Sequence, residues 1–94
     1  MVAVQLGHLF PLGRIVATPN ALVDVPDRDI ARALARHARG DWGELDAPDR
    51  QENERSLLDG CRLLSAYRAS NGIRFWIITE ADRSLTTVLL PEDY

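Results

Sequence analysis

The chain has no lysine: all 11 basic residues among its 94 positions are arginine. This is the mark of G+C-rich coding and carries no functional reading. It has one cysteine, Cys61, which excludes an internal disulfide and any cysteine-rich zinc site. The ordinary role for such a residue is a small apolar side chain in the core. The only histidines, His8 and His37, stand far apart and lack HExxH spacing, so no metal site is expected. No apolar run approaches the ~20 residues needed to cross a bilayer, so no membrane partner is expected. The opening segment MVAVQLGHLFPLGR lacks a basic start, a long apolar stretch and a small-residue cleavage site. A secretory signal is therefore not expected, and a cytoplasmic location is. There is no P-loop, no GxGxxG and no GxSxG serine elbow, so no cofactor is expected.

What is present is ordinary for one small globular domain spanning residues 1–94. Hydrophobic residues make up 46% and charged residues 27%, well away from a disordered composition. The charge is unevenly placed. Residues 1–40 hold five arginines against three aspartates, and residues 60–94 hold four charges of each sign. Residues 41–59 hold seven acids (Asp41, Glu44, Asp46, Asp49, Glu52, Glu54, Asp59) against Arg50 and Arg55. Nothing resembles the basic footprint of a protein that grips phosphates, so direct nucleic-acid binding is not expected. The acidic middle is either a solvated helix face or a surface offered to a basic partner.

Val2, Val4 and Leu6 alternate as in a strand, but Gly7, Pro11 and Gly13 interrupt any long element. Arg14 to Ala17 suits a short strand. Thr18-Pro19 then reads as a helix start, with Thr18 as N-cap. The first clear helix runs from Asp27 to Arg39, with Ile30, Ala33, Leu34 and His37 on one stripe. Asp27 and Asp29 suit its positive end, and Gly40 ends it. For His37 the expected role is a bond to a helix-end carbonyl. Trp42 is too large to leave in solvent without reason, so it plugs one edge of the core or serves a partner.

A second helix runs from about Ala47 to Asp59, with Asp46 as N-cap and Gly60 as terminator. Its inward stripe, Arg50, Asn53 and Leu57, is mostly polar, and Leu57 and Leu58 are its only anchors. Either this helix overhangs the core, or Asn53 and Arg50 make buried hydrogen bonds. The rest of the chain is a meander. Arg62 to Arg68 alternates Leu63, Ser65 and Tyr67 against Leu64 and Ala66. Ser70-Asn71-Gly72 is a hairpin turn. Ile73 to Thr79 is apolar on both faces, as in a central strand. Ser84 to Leu90 forms the last strand, stopped by Pro91. The expected fold is α+β: two helices packed on a three- to four-stranded antiparallel sheet.

The segments RHARGDWGELDAPDRQENERSLLDG and LLSAYRASNGIRFWIITEADRSLTTVLLPEDY resemble a family of short bacterial proteins carried on plasmids and integrative elements. These often carry the labels "plasmid-related protein" or "type I restriction endonuclease subunit M". The resemblance spans most of the chain from Phe10 onward and implies a mobile-element context, with no catalytic residues. A methyltransferase needs a glycine-rich loop for the methyl donor and an Asp/Asn-Pro-Pro-aromatic motif. This chain has neither, so the methylase label is not adopted.

Two functions from different classes remain. The first is a non-enzymatic interaction protein that inhibits a host defence complex, restriction or CRISPR, through an acidic surface. Its partner-binding residues would be Trp42, Glu44, Asp49, Glu52, Asn53 and Glu54, with a homodimer as a further state. The second is a metal-independent endoribonuclease of RelE or barnase type, an analogy of element order. It would use Glu80 or His37 as base, Arg68, Arg74 or Arg83 for phosphate, and Tyr67, Thr86 and Thr87 as hydrogen bonders.

Overall fold

A computed structural model describes residues 8–94; the alternating Val2, Val4 and Leu6 lie outside them. In chain order these residues form β1 (Arg14–Ala17), α1 (Pro19–Asp24), α2 (Asp27–Ala38), α3 (Ala47–Asp59), β2 (Leu63–Arg68), β3 (Arg74–Thr79) and β4 (Leu85–Leu89). A 3₁₀ turn over Pro91–Asp93 follows. The α+β class is as expected. The described strands form one sheet in the order β1-β4-β3-β2, with β2–β3 and β3–β4 antiparallel. The helix start read at Thr18-Pro19 is α1, which makes three helices where two were expected to pack on the sheet; the direction of β1 also differs, since it lies parallel to β4. A strand so distant in sequence has no turn to set its direction. Backbone bonds set it instead, from Arg14 N–H to Ser84 O and from Thr18 N–H to Val88 O, both 2.9 Å.

Pleat alternation sends Leu63, Ser65, Tyr67, Phe75, Ile77, Thr79, Thr86 and Val88 to the helix-covered face, where all are buried. α2 lays Ala33 and His37 onto that face, with Ile30 and Leu34 packed beside them. One cluster centres on Val25, Phe75, Ile77 and Val88, and a second on Phe10, Trp42 and Leu63. His37 does not bond a helix-end carbonyl. Its ring points into the sheet, where Nδ1 meets Ser65 Oγ at 2.6 Å and Nε2 meets Thr79 Oγ1 at 2.9 Å. Thr79 continues to Thr86 Oγ1 at 2.8 Å, and Thr86 donates to Leu12 O at 2.6 Å.

Polar contacts fasten the periphery. The Asp29 carboxylate, in the first turn of α2, accepts from Ser70 N–H and Oγ at the hairpin tip. These bonds hold its pKa below the usual value. At the far end, Asp93 accepts from Thr18, Asn20 and the Leu90 N–H, which ties the C-terminal turn to α1 and lowers its pKa. Two expected core contributors are not in the core. Cys61 is exposed, because it follows the left-handed Gly60 on the turn into β2. Leu58 is 88% exposed: with Leu57 turned inward, the residue 100° further round the helix faces solvent. No described helix is long and apolar enough to cross a membrane.

Candidate partner-binding surface

The polar inward stripe of α3 has a structural cause. β2 is an edge strand, and α3 lies beside its free edge. Asn53, 5% exposed, donates from Nδ2 to Leu64 O at 2.6 Å and accepts from Leu64 N–H at 3.2 Å. Two residues along, Ala66 N–H donates to Trp42 O at 3.2 Å, and Glu44 N–H donates to Ala66 O at 2.7 Å. The loop before α3 thus acts as a one-residue strand at Gly43, in the parallel sense. Asn53 and residues 42–44 together cover an edge that would otherwise offer free backbone groups to any passing strand. Arg50 stays exposed and donates to Leu45 O.

The six residues that the sequence nominates for partner contact separate in space. Trp42 is only 3% exposed. Its ring stacks on Phe10 at 6.3 Å and meets His37 edge-on at 5.7 Å, so it plugs the second core cluster. Its Nε1–H donates to Glu54 Oε2 at 2.8 Å, which gives that carboxylate a structural partner. Glu44 turns to Arg68 at 3.3 Å and Arg74 at 3.7 Å. Asp49, Glu52 and Asn53 come together along one groove of about 370 Å³.

That groove has a defined chemistry. Leu45, Leu64 and the half-buried Trp76 supply its apolar surface, and Arg62 closes one end. Arg62 donates to Tyr94 Oη at 2.7 Å, and the Tyr94 ring meets Trp76 edge-on at 5.7 Å. Asp49 and Glu52 stand on the α3 side. Repulsion from nearby Asp46 pushes the Asp49 pKa up, and Glu52 adds to it. A carboxylate crowded by carboxylates is relieved by an incoming cation. Glu52 has one exposed partner, Arg55 at 3.1 Å, a pair that solvent weakens. An apolar floor under an acidic wall suits a lysine or arginine side chain, whose stem is apolar and whose head is charged. The indole of Trp76 adds a face for cation–π contact.

Leu45, Arg62, Leu64 and Trp76 are the groove residues that sequence reasoning did not nominate. The available signal was Trp76 itself, a large aromatic residue on the side of β3 opposite Phe75. The endoribonuclease candidates are not gathered on one open face. His37 and Thr86 have no exposure, and Tyr67 is buried with its hydroxyl donating to Asp41 O. Burial pushes the Tyr67 pKa up, and the Ser65 hydroxyl and Arg36 oppose that only in part. Arg68, Arg74 and Thr87 lie on the other face. Arg83 directs its guanidinium to the carbonyls of Cys61, Glu80 and Ser56. No family model matches the chain, and neither a curated protein nor a solved structure is significantly similar to it.

Proposed function

We propose that this chain is a non-enzymatic interaction protein that binds a basic protein surface through α3 and the groove beside it. The observation that carries this reading is the convergence of Asp49 and Glu52 over Leu45, Leu64 and Trp76. Charge around such a groove speeds encounter with a positive partner and rejects negative ones, and the aromatic floor supplies contact area. In the mobile-element setting that the family resemblance implies, the fitting partner is a nucleic-acid-binding defence complex of the host, of restriction or CRISPR type. Such complexes present arginine- and lysine-rich grooves, and an acidic domain would compete there with the phosphate backbone.

The test is capture from a lysate of a host carrying such a complex, with wild-type protein and the Asp49→Lys/Glu52→Lys double variant as baits. Both positions are exposed, so the variant keeps the fold, and an unchanged melting curve checks this. The expected result is a captured complex whose yield falls at least ~10-fold with the variant and falls as salt is raised. Equal capture by both baits overturns the reading, and so does metal-independent RNA cleavage by the purified chain with no complex captured.

A further inference from the structure

The two edges of the sheet are finished differently. The β2 edge is covered by Asn53 and residues 42–44. The β1 edge is not. Arg14 and Thr18 turn their N–H groups inward to Ser84 and Val88, so alternation turns the N–H and C=O of Ile15 and Ala17 outward. Among the described residues nothing pairs with them. The flank is apolar as well. Ile15, Leu22 and Val23 are 48%, 57% and 83% exposed. Leu22, Ile30, Val88 and the β1 residues 15–17 line a groove of about 340 Å³ beside this edge, with Asp27 its one charged group.

We propose that the β1 edge is a homodimer interface, where two copies pair β1 antiparallel about a two-fold axis at Val16 and fuse their sheets into one. In this register Ile15 faces Ala17 of the second copy, and Ala17 faces Ile15. Each pair exchanges two hydrogen bonds, so every outward backbone group of β1 is satisfied. The neighbouring registers do worse. Centring on Ile15 brings in Gly13, whose φ of 65° is not extended. Centring on Ala17 brings in Pro19, which has no N–H to donate. This self-complementarity is what an isologous interface requires, and it favours a second copy over a foreign strand.

Side chains agree with the register. Val16 meets Val16 of the second copy on the face opposite the helices, a β-branched cross-strand pair. A two-fold axis perpendicular to the sheet leaves both copies' helices on one side. Leu22 and Val23 of α1 then approach their counterparts and lose the exposure they have in the single chain. Pairing through a four-residue strand gives an interface below standard size, so the dimer is weak and concentration-dependent.

Sedimentation equilibrium from low to high micromolar concentration, with amide exchange read by NMR at Ile15 and Ala17, tests the proposal. Expected are a mass that rises toward twice the monomer and exchange at those two amides that slows as concentration increases. Leu22→Glu, at an exposed position, should weaken the dimer at least ~10-fold without lowering the melting temperature. Should that variant fail to fold, Val23→Glu makes the same test. A chain that stays monomeric throughout overturns the proposal. Protection of Ile15 and Ala17 at every concentration also overturns it, because it would mean a segment of the same chain covers the edge. A dimer indifferent to both glutamates overturns it in favour of another face.

Discussion

Asn53 and Leu64 exchange two hydrogen bonds across the free edge of the sheet, one in each direction. A primary amide carries the same donor and acceptor as a peptide unit, so this side chain does what a neighbouring strand would do. The helix that looks poor in core residues is therefore held by polar contacts to backbone. Asn53 also lines the acidic groove, so one residue secures α3 and shapes the candidate contact surface.

Asn53→Ala should remove both bonds and leave two edge groups to water or to strain, at about 2 kcal/mol. Asn53→Asp should not rescue it, because a carboxylate cannot donate to Leu64 O. Urea denaturation of the three proteins measures this. An alanine variant with an unchanged midpoint would show that α3 is held by other contacts.

The buried hydroxyl chain has a direction. Thr86 gives its one proton to Leu12 O, so it must accept from Thr79, and Thr79 must accept from Nε2–H of His37. The neutral ring then has Nδ1 free to accept from Ser65. Protonating Nδ1 would set two donors face to face until Ser65 turned round. Burial, with repulsion from Arg83 second, pushes the His37 pKa down to about 4 from an ordinary 6.5. The folded value lies below the unfolded one, so this contribution is complete above pH 6.5 and is lost as pH falls toward 4. Its full size is on the order of 3 kcal/mol. The lowered carboxylates of Asp29, Asp41, Asp82 and Asp93 act in a more acidic window, below their ordinary 3.8. Stability measured from pH 7 to 4.5 should fall in the wild type and stay nearly flat in His37→Gln, whose overall stability is lower. Parallel slopes for the two proteins would refute the assignment.

Local chemistry made much of this fold legible. The Asn-Gly hairpin, the caps at Thr18 and Asp46, the left-handed Gly60 and the alternation of Leu63 to Thr79 all act within a few residues, and all appear in the structure. What the sequence did not show depends on distant partners. Nothing near Arg14 says that its strand runs parallel to one 71 positions later at Leu85. His37 looks like a helix-end residue until Ser65 and Thr79 are placed beneath it. Asp49 and Glu52 were visible as charges, but Trp76 and Leu64 join them only once β2 and β3 are paired beside α3.

Arg83 holds a φ of 62°, in the region that favours glycine, yet its guanidinium donates to three carbonyls. Ser56 O belongs to the last turn of α3, where a cation is favoured. Arg83→Ala loses these bonds and keeps the backbone strain; Arg83→Gly loses the bonds and relieves the strain. Both should be less stable than the wild type, with glycine above alanine by ~1 kcal/mol. Thermal melts of the pair settle it: a glycine variant as stable as the wild type would mean the guanidinium bonds only offset the backbone strain, and one more stable by ~1 kcal/mol would mean they contribute nothing.

Gly43 and Gly60 share the left-handed backbone, at φ 75° and 73°, but differ in what surrounds them. A Cβ at Gly60 would meet nothing within 4 Å, whereas one at Gly43 would run into Ala66 O and crowd the Tyr67 ring. Gly60→Ala therefore bears only the conformational cost, ~1 kcal/mol. Gly43→Ala bears that cost and must also open the bridge to β2, breaking the bonds from Ala66 N–H to Trp42 O and from Glu44 N–H to Ala66 O. Its loss should be at least ~2 kcal/mol greater than that of Gly60→Ala. The same change should expose the β2 edge, since residues 42–44 cover it. Faster amide exchange at Ala66, together with concentration-dependent aggregation absent from Gly60→Ala, is the expected signature. Equal stability of the two variants would show that the 42–44 segment merely rests on the strand and does not close it.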